Sequence, residues 1–290
     1  MFLSIITPTY NRGKLLIDAY ESLCNQTDKD FEWIIIDDGS IDNTKDIVNS
    51  FDTRLFHIRY IMQENGGKHR AHNVGVKAAS GKLIMCLDSD DMLTDECVER
   101  AKKVWNNNRL KNVNGILALR GDRLSQEAIC SRIPKQIQAE TMFELQNKYQ
   151  FKGDTVLFFK RDLLKNNLFP EFEGEKFLTE GALYNVLDHK GKMILVDEVW
   201  YLTEYLEGGL TSKYHTLLRQ NPRGTVYAYY QALLNAKTFQ VKMKYIMLMD
   251  IYEAFCKEHD SYNQYRVLRK ILYIPSKFYY LFRLSKLEEK

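Results

Sequence analysis

Three carboxylates stand close together near residue 90, directly after an apolar run. Asp88, Asp90 and Asp91 follow residues 83–87, whose sequence LIMCL has the length and bounds of a buried strand. Carboxylates at this spacing repel one another unless a positive charge lies between them. A hard divalent cation such as Mg²⁺ or Mn²⁺ fits, because it takes oxygen ligands and often shares them with substrate phosphates. The pattern predicts a metal–diphosphate site, although a solvated turn or a helix cap would use the same residues.

Polar clusters also follow the three earlier segments that have strand-like sequences. They are, in chain order, Thr7-Pro8-Thr9-Tyr10-Asn11-Arg12, Asp37-Asp38-Gly39-Ser40 and Gly66-Gly67-Lys68. In an open parallel sheet the carboxyl ends of the strands form one edge, and ligands bind in the crevice outside it. A turn explains each cluster alone. Four clusters of suitable chemistry at one edge indicate a common site.

The side chains in these clusters suit a nucleoside diphosphate. An aspartate after the second strand, Asp37 or Asp38, can accept a hydrogen bond from a base N–H, and Tyr10 can stack on the base. Lys68 or Arg70 can face phosphate oxygens, and an arginine would do so with two parallel N–H donors. The glycine pair that ends at Gly67 lets the backbone come close to a ligand.

The elements that would hold these clusters alternate between strand and helix patterns, which is typical of βαβ units in a mostly parallel sheet. Strands are predicted at residues 3–7, 31–37, 56–62, 83–87, 155–159 and 193–196, and Pro8 should end the first of them. Helices are predicted at residues 14–25, 42–50, 69–79, 95–106 and 177–187. Beyond residue 211 the pattern is mainly helical.

Composition excludes several classes of protein. The chain has 290 residues with 45% hydrophobic and 27% charged residues, which is ordinary for a globular protein. Its five cysteines include no C-x-x-C pair, which disfavours disulfides and zinc and predicts a cytoplasmic location. The net charge of +3 is too small to indicate nucleic-acid binding.

We see neither a signal peptide nor an apolar stretch long enough to span a bilayer. The absence of G-x-G-x-x-G disfavours a Rossmann dehydrogenase.

The ordered set of motifs resembles the inverting family-2 glycosyltransferases of the GT-A fold. The matching segments are residues 4–12, 31–44, 65–67, 73–75 and 87–91. The resemblance implies an α/β fold of this type, with a mostly parallel central sheet flanked by helices and a helical C-terminal extension. It further implies a nucleotide-sugar-binding half at residues 1–115, an acceptor-binding half of the same domain at 116–212, and the extension at 213–290.

The same resemblance implies a nucleotide-sugar donor, usually a uridine diphosphate sugar, and a Mn²⁺ or Mg²⁺ ion. Pro8, Tyr10 and Asp38 would contact the base region. Asp88 would approach the ribose, and Asp90 would bind the metal and through it the diphosphate. The full set of expected donor-binding residues is Pro8, Tyr10, Arg12, Asp38, Gly67, Lys68, Asp88, Ser89 and Asp90, with Asp90, Asp88 and Asp91 as metal ligands.

An inverting transfer needs a general base on the acceptor hydroxyl. The family usually places a carboxylate at the start of a helix, often as Glu-Asp, and Glu180 is the first candidate here. Gly181 stands where many relatives have aspartate, so Glu175 is kept as a second candidate. Asp154 resembles a residue that holds the acceptor hydroxyl. The glycine-containing segment 205–212 resembles a loop that relatives fold over the donor.

The last 28 residues, 263–290, carry seven basic side chains against two acids, with aromatic residues between them. This composition suits either an anionic membrane surface or a helix packed on the protein. The first alternative predicts a peripheral protein at the inner face of the plasma membrane, acting on a glycan or a lipid-linked acceptor. No nucleic-acid partner is expected.

The sequence is also compatible with two other functions. A nucleotidyltransferase also joins a nucleotide fold to acidic metal ligands, although segment 9–13 is a poor version of its expected glycine-rich basic loop. A non-catalytic donor-binding relative, acting as a subunit, is compatible with the departure at Gly181.

Overall fold

A computed structural model of the chain describes residues 1–204 and 214–256. The strands in these residues are β1 (Leu3–Thr9), β2 (Phe31–Asp37), β3 (His57–Met62), β4 (Leu83–Cys86), β5 (Met92–Leu93), β6 (Val113–Asp122), β7 (Ala139–Glu140), β8 (Thr155–Lys160) and β9 (Lys192–Thr203). The helices are α1 (Leu16–Cys24), α2 (Thr44–Asn49), α3 (Lys68–Ala78), α4 (Cys97–Asn107), α5 (Met142–Asn147), α6 (Arg161–Lys165), α7 (Gly181–Asp188), α8 (Tyr214–Gln220), α9 (Pro222–Asn235) and α10 (Phe239–Glu253). The predicted donor loop at 205–212 and the basic segment at 263–290 lie outside the described residues.

The strands form one sheet in the order β3-β2-β1-β4-β8-β6-β9-β5, and β7 pairs with β9. Six strands, β1 to β4, β6 and β9, share one direction, whereas β5, β7 and β8 run opposite to them. The prediction of a mostly parallel sheet flanked by helices is therefore confirmed. The carboxyl ends of β1 to β4 lie at one edge, together with the ends of β6 and β9 and the start of β8.

The prediction that Pro8 ends the first strand is wrong. Strand β1 continues through Pro8, opposite Ile36, to Thr9. On its other side β1 pairs with β4 only as far as Ile6 opposite Cys86. Beyond that point the open side of β1 needs no N–H donor, so a proline is tolerated there.

Helices cover the sheet on both faces, and this explains the continuous apolar runs of its central strands. Every residue of β1 and β2 is buried. Leu16, Ala19 and Leu23 place the apolar stripe of α1 in this core, at the spacing of one helix face.

Strand β6 is the main element that the sequence did not predict. Its sequence is interrupted by Asn114 and Gly115, and it lacks the uniform apolar run of β2. Gly115 is required by packing, because a Cβ there would lie 1.7 Å from the carbonyl oxygen of Phe158. Strand β9 also extends to Thr203, well past the predicted segment at 193–196.

The chain forms two compact units. The first, which we call the sheet unit, comprises residues 1–168 and 190–204 and contains the whole sheet. The second, the helical unit, comprises residues 169–189 and 205–290. In its described part, α9 packs against α7 and α10, and the core includes Leu218, Val226 and Met249. No helix in the described ranges is both long enough and apolar enough to traverse a bilayer.

Candidate active site

The turn after β4 places three aspartates at the carboxyl edge of the sheet. The side chains of Asp88 and Asp90 are 24% and 21% exposed, whereas Asp91 is buried. Ser89, between them, is buried as well. The turn is closed by the backbone N–H of Asp91, which donates to the carbonyl oxygen of Asp88 over 3.2 Å.

Three basic side chains supply the positive charge that these carboxylates need. Arg12 reaches Asp90 over 3.0 Å, and Lys68 reaches Asp88 over 2.8 Å. Both cations come from predicted clusters, the first after β1 and the second at the start of α3. The third is Arg120 of β6, whose guanidinium lies 3.8 Å from Asp88 and 3.6 Å from Asp91.

These surroundings shift the pKa values of the acids in opposite directions. Burial alone would raise the pKa of Asp88, but the charges of Lys68 and Arg120 hold it at about 2. Burial, and then the charge of Asp88, raises the pKa of Asp91 to about 6. Burial also lowers the pKa of His72, assisted by the charge of Lys68, to about 3. His72 is therefore neutral near pH 7. Of the two aspartates Asp88 and Asp91, Asp88 is the one that stays firmly ionised.

Tyr201 connects the turn at residues 88–91 to strand β9. Its hydroxyl accepts from the backbone N–H of Asp88 over 3.0 Å and donates to the Asp91 carboxylate over 2.6 Å. The guanidinium of Arg120 lies 4.2 Å from the centre of the Tyr201 ring. Sequence reasoning missed both residues, because neither β6 nor the end of β9 was predicted and neither residue belongs to a local motif.

The loop after β1 carries Tyr10 on the surface of the same edge, with 46% of its side chain exposed. The next residue, Asn11, has a φ of 53°, a left-handed conformation that asparagine tolerates. Its N–H donates to Ser40 Oγ over 2.8 Å, and its Oδ1 accepts from the N–H of Ile41 over 2.8 Å. The loops after β1 and β2 are thus tied together, while Pro8 is buried beneath them.

Asp38 organises the loop after β3. Its carboxylate accepts four hydrogen bonds of 2.7 to 3.1 Å, from the Gln63 and Asn65 side chains and from the backbone N–H groups of Gly66 and Gly67. Gly67 has a φ of 97°, which favours glycine, and it precedes the first residue of α3. Both oxygens of this carboxylate already accept hydrogen bonds from the loop. The contact of Asp38 with a base stays a prediction.

The candidate acids for the acceptor side lie in different surroundings. Asp154 is exposed and immediately precedes β8, so it lies at the same sheet edge as Asp88. In the helical unit, Glu175 is 7% exposed, and its two oxygens accept from the backbone N–H groups of Arg223 and Gly224, each over 2.8 Å. Glu175 thereby caps the N-terminus of α9.

Glu180 also belongs to the helical unit and precedes the first residue of α7. Its carboxylate is exposed and makes no capping hydrogen bond to that helix. Desolvation, and then the charge of Glu180, raises the pKa of Tyr214 to about 12. The acid is therefore electrostatically close to a phenol of the same unit.

A divalent cation fits part of the predicted metal set. Within residues 1–204 and 214–256, no group of three His, Cys, Asp or Glu side chains converges to hold a metal. Asp91 is buried and bonded to Tyr201, with a further hydrogen bond to Thr203. Asp88 and Asp90 are partly exposed hard oxygen donors, and they fit Mg²⁺ or Mn²⁺ that takes its remaining ligands from a diphosphate and water.

Comparison with known proteins gives a consistent result. The family described as Glycosyl transferase family 2 matches residues 4–168. A GalNAc(5)-diNAcBac-PP-undecaprenol beta-1,3-glucosyltransferase from Campylobacter jejuni is 32% identical over 171 residues, which are 58% of this chain and 55% of that protein. The chain spans between about a sixth and about half of the length of the curated relatives it matches.

Solved structures resemble the chain over most of its length. Residues 1–349 of TarS from S. aureus, in complex with UDP-GlcNAc, superpose with a TM-score of 0.61 and 19% identity, covering 95% of this chain and 78% of that one. The mannosyltransferase PcManGT from Pyrobaculum calidifontis, in complex with GDP-Man and Mn²⁺, gives a TM-score of 0.55 and 16% identity, covering 97% and 87%. These likenesses confirm the predicted fold, an α/β fold of the GT-A type.

Proposed function

Because the chain belongs to glycosyltransferase family 2, we propose that it transfers a sugar from a nucleoside diphosphate sugar to an acceptor hydroxyl, by direct displacement with inversion at the anomeric carbon. One observation carries this proposal. Exposed Tyr10, the partly exposed acids Asp88 and Asp90 and the cations Arg12 and Lys68 lie at a single edge of the sheet. An aromatic face, acids for a cation and cations for phosphate are the groups that such a donor requires.

The donor we propose is a UDP-sugar. The solved complex of TarS with UDP-GlcNAc supports this choice, although PcManGT was solved with GDP-Man. Tyr10 would stack on the base. Asp38 would serve the site by fixing the loop of Gly66 and Gly67, whose backbone can then approach the ligand closely.

Arg12 and Lys68 would bind the diphosphate by exchanging partners. Arg12 and Lys68 neutralise Asp90 and Asp88, over 3.0 and 2.8 Å. Both side chains are more than a third exposed, at 35% and 41%, so they can turn toward an arriving phosphate. Each cation would then exchange its carboxylate partner for a phosphate oxygen of the donor.

Asp88 and Asp90 would hold a Mn²⁺ or Mg²⁺ ion together with the diphosphate. Such an ion, when bound, neutralises charge that develops on the leaving nucleoside diphosphate. The complex of PcManGT with Mn²⁺ supports the use of a divalent cation. Asp91 is the least suited of the three predicted ligands, because it is buried and bonded to Tyr201.

For the general base we propose Glu180, whose carboxylate is exposed at the residue before α7. Glu175 is a weaker candidate, because both of its oxygens accept from the backbone of α9. Asp154 is exposed and would hold the acceptor hydroxyl.

The acceptor we propose is a glycan hydroxyl on a lipid carrier. The name of the Campylobacter jejuni relative, which includes an undecaprenol-linked substrate, supports this choice. A lipid carrier would bring the protein to the inner face of the plasma membrane, with residues 263–290 as the candidate contact.

The proposal is tested by incubating the protein with a panel of nucleoside diphosphate sugars and Mn²⁺, and measuring release of nucleoside diphosphate. We expect slow release from one UDP-sugar, faster release with a lipid-linked acceptor fraction, and loss of both in Asp90→Ala. Asp162→Ala is the matched control, because Asp162 is an acid of the same unit, 81% exposed and paired with its neighbour Arg161.

Other outcomes would point to the other functions. Exchange of pyrophosphate into a nucleoside triphosphate would indicate a nucleotidyltransferase. Donor binding with no release for any acceptor would indicate a non-catalytic relative. Equal release by the wild type and Asp90→Ala would contradict the proposed site.

A further inference from the structure

Arg120 and Tyr201 lie directly opposite each other on neighbouring parallel strands. They are register partners on β6 and β9, so their side chains point to the same face of the sheet. This alignment stacks the guanidinium on the ring, 4.2 Å from its centre. The sheet thus builds one cationic and aromatic unit beside the turn at residues 88–91.

The alignment depends on an irregularity of β9. Leu119 pairs with Val199, but the next residue of β6, Arg120, pairs with Tyr201. One residue of β9, Trp200, is therefore extra at this point, which is the pattern of a β-bulge. Bulges occur next to active sites, where they redirect a side chain. Trp200 is fully buried in the core, and Tyr201 is brought to the face of Arg120.

The pair contacts the turn at both of its ends. The Tyr201 hydroxyl bridges the backbone N–H of Asp88 and the carboxylate of Asp91. Arg120 faces the carboxylates of the same two residues and is itself fixed by donating Nε–H to the carbonyl oxygen of Thr155 over 3.2 Å. The hydrogen bonds and charges of this pair therefore fix Asp88 and Asp91 relative to β6, β8 and β9.

We propose that Arg120 and Tyr201 are positioning residues, which hold the turn at residues 88–91 in the shape that presents Asp88 and Asp90 to a metal-bound nucleoside diphosphate. This inference rests on the proposed function for its ligand. It assigns no contact with the substrate to either residue. Asp91 holds the turn in place through its hydrogen bond with Tyr201, and the turn presents Asp88 and Asp90.

The first test needs no ligand. Hydrogen–deuterium exchange is measured for peptides that cover residues 87–93, in the wild type and in Tyr201→Phe. The variant keeps the ring and removes only the bridging hydroxyl, so we expect the Asp88 amide to exchange about tenfold faster. Tyr20→Phe is the matched control, because the Tyr20 hydroxyl bridges the N–H and carbonyl of Asp52 in the same way. It should leave residues 87–93 unchanged.

The second test measures UDP binding by calorimetry, with Mn²⁺ and with EDTA. We expect Tyr201→Phe and Arg120→Lys to weaken binding about tenfold in Mn²⁺, which is about 1.4 kcal/mol, and less than twofold in EDTA. Arg120→Met, which also loses the charge, should weaken it further. Arg123→Lys is the control, because Arg123 pairs with Asp18 and Glu204 and not with the turn.

The outcomes separate the two proposals. Equal loss of affinity in Mn²⁺ and EDTA would mean general structural damage and would overturn the positioning role, as would wild-type affinity in both variants. If the wild type binds no UDP with Mn²⁺, the proposed donor function fails, and the exchange rates alone then decide whether Tyr201 holds the turn. Unchanged exchange in Tyr201→Phe would overturn that role whatever the ligand.

Discussion

The two edges of the central sheet both contain buried or half-buried carboxylates, but they use them differently. At the amino edge, Glu32 is 1% exposed and accepts from the hydroxyl of Ser4 over 2.6 Å and from the N–H and hydroxyl of Ser80. Arg59 lies 3.6 Å away. At the carboxyl edge, Asp88 and Asp90 are paired with the charged side chains of Lys68 and Arg12.

The difference lies in how easily the partners can be exchanged. Two short serine side chains and the backbone N–H of Ser80 hold the buried carboxylate of Glu32, so its bonds serve the fold. Arg12 and Lys68 can turn toward solvent, so the acids they neutralise can also face a ligand. The presence of a buried acid therefore does not mark a site. Besides Arg59, three hydroxyl and backbone donors hold Glu32, whereas Arg12 and Lys68 are long side chains that can exchange a carboxylate for a phosphate.

The strongest test of this contrast is Asp90→Asn. We expect UDP-sugar turnover to fall by about a hundredfold or more, because the variant removes a negative charge that would hold the cation, and the cation would stabilise the leaving nucleoside diphosphate. The melting temperature should stay within about 2 °C of the wild type, since Asp90 is a partly exposed acid. Turnover assays and thermal denaturation check both parts. A large loss of stability would mean that the carboxyl edge is as structural as the amino edge.

Glu32→Gln should give the opposite result. Its amide NH₂ would face the Arg59 guanidinium, and the serine donors would lose a charged acceptor. We expect the free energy of unfolding to fall by about 2 kcal/mol, measured by denaturant titration. The affinity for UDP with Mn²⁺ should be unchanged, and a weakened affinity would argue against the separation of the two edges.

Tyr10→Ala should weaken UDP binding about tenfold, because a base would lose its stacking surface. Tyr10→Phe keeps the ring and should bind within about twofold of the wild type, and neither variant should alter stability. Calorimetry with UDP and Mn²⁺ provides the measurement. If the two variants bind equally well, the aromatic face has no part in recognition.

The last prediction concerns pH. The pKa of Asp91 is raised to about 6, so the folded protein holds this proton between pH 4 and 6 while the unfolded chain has released it. Stability from this group therefore falls as pH rises through that window. In Asp91→Asn the fall is absent, and the melting temperature relative to the wild type should rise by about 4 °C between pH 4 and pH 7. A constant difference would show that Asp91 ionises normally. Asp88, with its pKa held at about 2, should have only a small effect in this window, because its stabilising contribution is lost mainly below pH 4.

The sequence predicted the parts of the site that local patterns encode. Strands β1 to β4 and the clusters that follow them were recognisable because apolar runs end abruptly in polar turns. Arg120 and Tyr201 were not, because their pairing arises from the register of two strands about 80 residues apart in the chain. The saturation of Asp38 by the loop after β3, and the capping of α9 by Glu175, likewise depend on contacts between distant segments.

The order of segments along the chain has a consequence for synthesis on the ribosome. The sheet unit receives β9 only after the chain has passed through residues 169–189, which belong to the helical unit. Until then β6 is an edge strand with a long row of open backbone groups, able to pair with a neighbouring nascent chain. A translation product that stops at residue 168, where the family match ends, would keep that edge permanently and would be prone to aggregate.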